Sequence, residues 1–165
     1  MNLLAVIISG CSLCVAMIAL DHAKQSNKKA NDIASENVNL QHGQLENEIR
    51  QSIENSKMNI TNIVITMAPL KAKESIGNIS DEDKKTLDIY TSSSDSAIQT
   101  MLNIYDDACA KYIDNRVDKG RFKKNFYVEI RNLLQEEEMN KYFHPNTSNY
   151  KAIMRVYDEW ENLEK

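Results

Sequence analysis

The sequence predicts an all-α protein: a single N-terminal transmembrane helix, then a long helix or stalk, then a small antiparallel helical bundle. Three observations carry this. Leu3 to Leu20 is an uninterrupted, uncharged stretch of eighteen residues. From Ile33 onward, apolar residues recur with a helical period. Four Gly and two Pro in 165 residues leave little material for a loop-rich or all-β fold.

The N-terminal stretch contains "IISGCSLCVAMIAL", residues 7 to 20, which admits three readings. Lipidation of Cys11 after Ile8-Ser9-Gly10 would need a basic leader and a polar tether, and the chain has neither: Met1-Asn2 carries no side-chain charge, and Leu13 to Leu20 stay apolar. A Cys11-x-x-Cys14 redox or metal pair would need a thiolate-stabilising turn or further ligands. The remaining cysteine is Cys109, and His22, His42 and His144 are scattered, so the two thiols read as small apolar filler on one helix face. The span is the reading that survives. At about 1.5 Å per residue, eighteen residues reach roughly 27 Å, close to the hydrocarbon thickness of a bilayer. A buried core helix would show some polar face, and this stretch shows only Ser9, Gly10 and Ser12. Those three small residues are candidates for self-association of spans.

Lys24, Lys28 and Lys29 follow the stretch and no cation precedes it. The positive-inside rule therefore predicts a single-pass inner (plasma) membrane protein, N-terminus outside and C-terminal domain cytosolic. An uncleaved export signal with the body outside is the competing arrangement. Three acceptor-like triplets, Asn59-Ile-Thr61, Asn78-Ile-Ser80 and Asn146-Thr-Ser148, arise readily by chance in so Asn-rich a chain and do not decide between the two.

Net charge of −4 and a pI near 5.4 argue against nucleic acid as a partner. Residues 21–165 amount to about one domain. Three cysteines, two of them in the expected span, exclude a disulfide framework. The organisation expected is a span over 1–20, a polar juxtamembrane tether over 21–32, a long amphipathic helix over 33–68, and a helical bundle over 69–165. In the long helix Ile33, Val38, Leu45, Ile49, Ile53, Ile60, Ile63, Val64 and Met67 track one face, and the helix is expected to stop before Pro69. Up to about Ser56 the seam is narrow and diluted by Asn, Gln and Glu, which suits a coiled-coil or partner-facing stalk as well as a solvated helix.

Beyond Gly77, Ser80-Asp81-Glu82-Asp83 signals a helix start, with a serine cap and acids at the positive end of the dipole. Leu87, Tyr90, Ala97, Met101, Ile104, Tyr105, Ala108 and Tyr112 continue that helix to about Asn115, with Thr91 to Ser94 as a possible interruption. Asp118-Lys119-Gly120 reads as a turn. Phe122, Phe126, Ile130, Leu133 and Leu134 then form a stripe. A last helix, capped by Thr147 or Ser148, turns Tyr150, Ile153, Met154, Tyr157, Trp160 and Leu163 inward. Eight of the eleven aromatic residues lie from Phe122 onward, so the last three helices are expected to form the best-packed core.

The segments "LNIYDDACAKYIDNRVDKGRFKKNFYVEIRNLLQ" and "YKAIMRVYDEWENLEK" resemble, over about residues 84–163, a family of small uncharacterised single-pass membrane proteins of bacteria and phages with a helical cytosolic domain. The resemblance implies the bundle topology and brings no catalytic residues with it.

No Glu-x-x-His, His-x-x-x-His, Gly-rich phosphate loop or nucleophile elbow is present. The carboxylate pairs Asp106-Asp107 and Asp158-Glu159 and the run Glu136–Glu138 read as solvated faces, because helix neighbours point about 100° apart. The sequence thus predicts neither catalysis nor a cofactor or metal. One cluster is less ordinary. Lys119, Arg121, Lys123 and Lys124 gather at a helix start, where the macrodipole disfavours cations, and are the candidate contacts to an acidic partner or to anionic lipid headgroups. The expected role is a membrane-anchored, non-enzymatic adaptor or complex subunit binding a protein partner, or forming a homo-oligomer, at the lipid bilayer. The alternative is a small membrane effector of the phage-exclusion or toxin-like kind that self-assembles through its span.

Overall fold

The computed structural model describes the backbone of residues 3–144 and 148–162 and the side chains of residues 17–144 and 148–162. Among these residues are four α-helices, α1 (Leu3–Ser75), α2 (Asp81–Ile113), α3 (Lys119–Gln135) and α4 (Lys151–Asn162), with one 3-10 turn, Glu137–Met139, between the last two. The all-α expectation is correct. The transmembrane part of it is not: among the described residues no helix is long and apolar enough to cross a membrane. The backbone of Leu3–Leu20 is the opening of α1 and not a separate element. The single-pass anchor, and the inner-membrane location that rests on it, are therefore not supported. The side chains of Ser9, Gly10 and Ser12 lie outside the described residues.

The chain divides into two compact units, residues 1–41 and 42–165. In the first, the described residues 17–41 form helix on which every side chain is exposed, Ile33 and Leu40 at 59%. The second holds the core. There Ile49 and Ile53 of α1 join Met101, Leu102, Tyr105, Ala108, Cys109 and Tyr112 of α2, Phe122, Phe126, Ile130 and Leu133 of α3, and Ile153, Val156 and Trp160 of α4. The stretch read as a stalk therefore contributes to the core from residue 45 on, while Ile33, Val38 and Val64, assigned to the same seam, are exposed.

Local chemistry explains the boundaries. α1 passes through Pro69. The carbonyl that loses its donor belongs to Ile65, which is 64% exposed, so water can serve it. The helix ends where Gly77 turns to φ 70°: Asn78 N–H donates to Lys73 O and Gly77 N–H to Glu74 O, a glycine-centred C-terminal cap. α2 starts as predicted, Ser80 Oγ accepting Asp83 N–H at 3.1 Å. It continues without a break through Thr91–Ser94, where the hydroxyls of Thr91, Ser96 and Thr100 occupy themselves with carbonyls one turn back. It closes on Asn115 at φ 57° with Arg116 N–H donating to Lys111 O. Asp118, expected in a turn, is the N-cap of α3, accepting Arg121 N–H at 2.8 Å.

α4 takes its cap from elsewhere. Asp106 Oδ1 of α2 accepts the N–H groups of Ala152 at 2.9 Å and Ile153 at 3.1 Å, while Ser148 Oγ accepts Tyr150 N–H. Val156, not Met154 or Tyr157, completes the buried stripe with Ile153 and Trp160. Thr147 and Leu163 lie outside the described residues.

Candidate functional site

The four basic residues of the first turns of α3 separate into two groups. Arg121 turns to α1, where Nη2 and Nε stand 3.0 and 3.2 Å from Oε2 of Glu46. Glu46 is only 7% exposed, and its other oxygen, Oε1, is buried without a hydrogen-bond partner. The carboxylate holds the Arg121 guanidinium above its ordinary pKa, so this cation is committed to the fold.

Lys119, Lys123 and Lys124 instead line, with Gly120, Val128 and the rings of Tyr112 and Tyr127, an open surface cavity of about 530 Å³. The α-helical spacing puts Lys119 and Lys123 one turn apart. Each ammonium lies over a ring, Lys119 Nζ 4.8 Å from the Tyr112 centroid and Lys123 Nζ 5.4 Å from that of Tyr127, an arrangement in which the ring quadrupole draws the cation to its face. The rings are themselves fixed. Tyr112 donates its hydroxyl to Glu159 Oε1 at 2.8 Å and accepts Trp160 Nε1–H at 3.0 Å, and Tyr127 donates to Glu161 Oε1 at 3.0 Å. Trp160, wholly buried, packs edge-on against both tyrosines. Burial raises the Tyr112 hydroxyl above its usual pKa, which keeps it a neutral donor to Glu159.

The carboxylate pairs do not converge on a substrate. Asp106 caps α4, Asp107 pairs with Lys111 in the next turn, and Glu159 holds Tyr112 while Asp158 is exposed. Cys109 is wholly buried, and burial pushes its thiol well above the ordinary value, away from the thiolate that nucleophilic chemistry requires. Tyr105, donating to Glu129, is raised in the same way, burial first and the neighbouring carboxylate second. Among the described residues no group of three or more His, Cys, Asp or Glu side chains could hold a metal ion.

A second depression, of about 780 Å³, was not read from the sequence. It lies between α1, α2 and the 3-10 turn, and its walls bring together Met67, Met101 and Met139. The first two fall on apolar helical stripes, where periodicity does not set them apart from their neighbours; the available clue is the soft, adaptable character of methionine at such positions.

No protein-family model, curated protein or solved structure matches the chain.

Proposed function

We propose that this protein is a non-enzymatic helical adaptor or complex subunit that binds an acidic protein partner through the lysine–tyrosine face of α3. The observation that carries this reading is the cavity walled by Lys119, Lys123 and Lys124 over Tyr112 and Tyr127. Rigid tyrosines lose little conformational freedom on binding, and aromatic anchors dominate the energetics of interfaces. Ammonium groups positioned on the rings supply the complementary charge that steers an acidic surface to them. The buried, neutral states of Cys109 and Tyr105 and the structural employment of Asp106, Glu129 and Glu159 leave this face as the chemically distinctive one.

The test is purification of the full-length chain from its native host under mild conditions, with co-purifying proteins identified, in parallel with the triple variant Lys119→Glu/Lys123→Glu/Lys124→Glu. A stoichiometric acidic partner, lost in the variant and weakened by added salt, is the expected outcome. Recovery of the chain alone, or of the same partner with the variant, would sink the reading.

A further inference from the structure

Met67, Leu87 and Ala97 are buried but stand outside the contiguous core. They belong to the arm in which the end of α1 and the start of α2 run together. Here the methionine-walled depression opens. Its lining on α1 extends from Lys57 to Lys71, four turns or roughly 21 Å of helix. Ile60, Val64, Met67, Ile98, Met101 and Met139 give it an apolar floor, and Val64 is left 46% exposed. The far wall is firm: Lys141 Nζ and the Tyr142 hydroxyl both donate to Asp95, at 2.8 and 3.2 Å, tying the segment after the 3-10 turn to α2.

The rim charges differ in how they are employed. Lys57 is engaged by Glu54 and Glu129. Lys71 on α1 and Glu138 on the 3-10 turn are exposed, and neither has an ion-pair partner among the described residues, although both line the depression. One wall thus ends in an unpaired cation and the other in an unpaired anion.

We infer that this groove docks a single amphipathic helix of a partner protein, about four turns long, with acidic residues along the flank facing Lys71 and basic residues along the flank facing Glu138. The length of the groove sets the length of the helix, the apolar floor takes residues spaced i, i+3/i+4 and i+7, and the two rim charges fix its orientation. Methionine walls suit such a ligand because an unbranched thioether repacks around different apolar side chains. The inference concerns a surface separate from the lysine–tyrosine face and does not depend on it.

The test begins with selection from a display library of helical peptides of about sixteen residues against the full-length chain. A synthetic version of the winner is then titrated into protein carrying ¹³C-methyl methionine. The expected consensus is an apolar stripe with acids on one flank and bases on the other. The methyl signals of Met67, Met101 and Met139 should move, while that of Met58, 59% exposed and off the groove, stays in place. Val64→Asp, at an exposed position, should weaken binding at least tenfold. The pair Lys71→Glu/Glu138→Lys should weaken the selected peptide and favour one with its flanking charges exchanged. Triple reversal of Lys119, Lys123 and Lys124 should leave peptide binding unchanged. The inference is overturned if no helical peptide is enriched, if enriched peptides leave the three methyl signals unmoved, or if the rim exchange has no effect on preference. It is also overturned if those signals move with protein concentration alone, which would make a second copy of the chain the occupant.

Discussion

Asp106, in the interior of α2, accepts the backbone N–H of Ile153 at 3.1 Å and so caps a helix 47 residues away in sequence. The same oxygen takes Ala152 N–H. The first turn of α4 is thereby satisfied by a side chain from the helix it packs against, and the cap fixes the register of Ile153, Val156 and Trp160 against α2.

Replacing Asp106 by Ala should cost about 0.5–2 kcal/mol, the usual range for a lost N-cap. Asp106→Asn, which keeps an acceptor oxygen, should cost clearly less. Urea unfolding followed by far-UV circular dichroism measures both, and equal destabilisation by the two substitutions would show that the charge and not the cap matters.

Tyr112→Phe removes the acceptor of the buried Trp160 N–H and the donor to Glu159 together. An orphaned buried donor costs about 1–3 kcal/mol. The substitution should lower the urea midpoint with little change in the steepness of the transition, because the amount of surface exposed on unfolding is the same.

The stability of residues 42–165 should fall at alkaline pH. Burial raises the Cys109 thiol above its ordinary value of 9.0 and the Tyr105 hydroxyl above its ordinary 10.0. In each case the folded chain keeps a proton that the unfolded chain gives up. The contribution is complete below the unfolded pKa and is lost as pH rises toward the folded one. Above about pH 9 the unfolding free energy should decline by up to about 1.4 kcal/mol per pH unit for each group. Cys109→Ala should flatten the limb that begins near pH 9, and Tyr105→Phe the one that begins near pH 10. A wild-type profile flat through this window would refute the prediction.

Arg121→Ala should destabilise the fold, because it leaves the carboxylate of Glu46, 7% exposed, without its cation. Glu46→Met combined with Arg121→Met should recover much of the loss, and the double-mutant cycle in thermal unfolding measures the coupling.

What the sequence disclosed follows from the range of the interactions involved. Ser80 with its three acids was legible because the cap's partner, Asp83, lies three residues on, and the stripe Phe122, Phe126, Ile130 and Leu133 because a helical period repeats within one element, although the residues it packs against are distant. Asp106 was read as a solvated acid because its partners stand 46 and 47 residues away. Arg121 was read as one of four equivalent cations because Glu46 lies 75 residues before it. The helix stop expected before Pro69 does not occur, because proline only disfavours the helical conformation of the residue before it, and the hydrogen bond it removes falls at Ile65, an exposed residue. The membrane span was inferred from eighteen uncharged residues, whereas no described helix is apolar enough to cross. The lysine–tyrosine face was half visible: the cations stood out in the sequence, but the rings beneath them come from two different helices.

The chain contains a single tryptophan, and its indole lies wholly buried between Tyr112, Phe122 and Tyr127. Its emission is therefore an internal gauge of one place only. It reports the seam where α2, α3 and α4 meet and is blind to the exposed helix of residues 17–41. Emission follows the bundle alone, whereas ellipticity sums the bundle and the exposed helix, so melting of residues 17–41 is the part of the ellipticity change that emission does not share. Because the indole N–H is held by the hydroxyl of a ring that also floors the lysine cavity, a protein settling on that face would change the light from behind it.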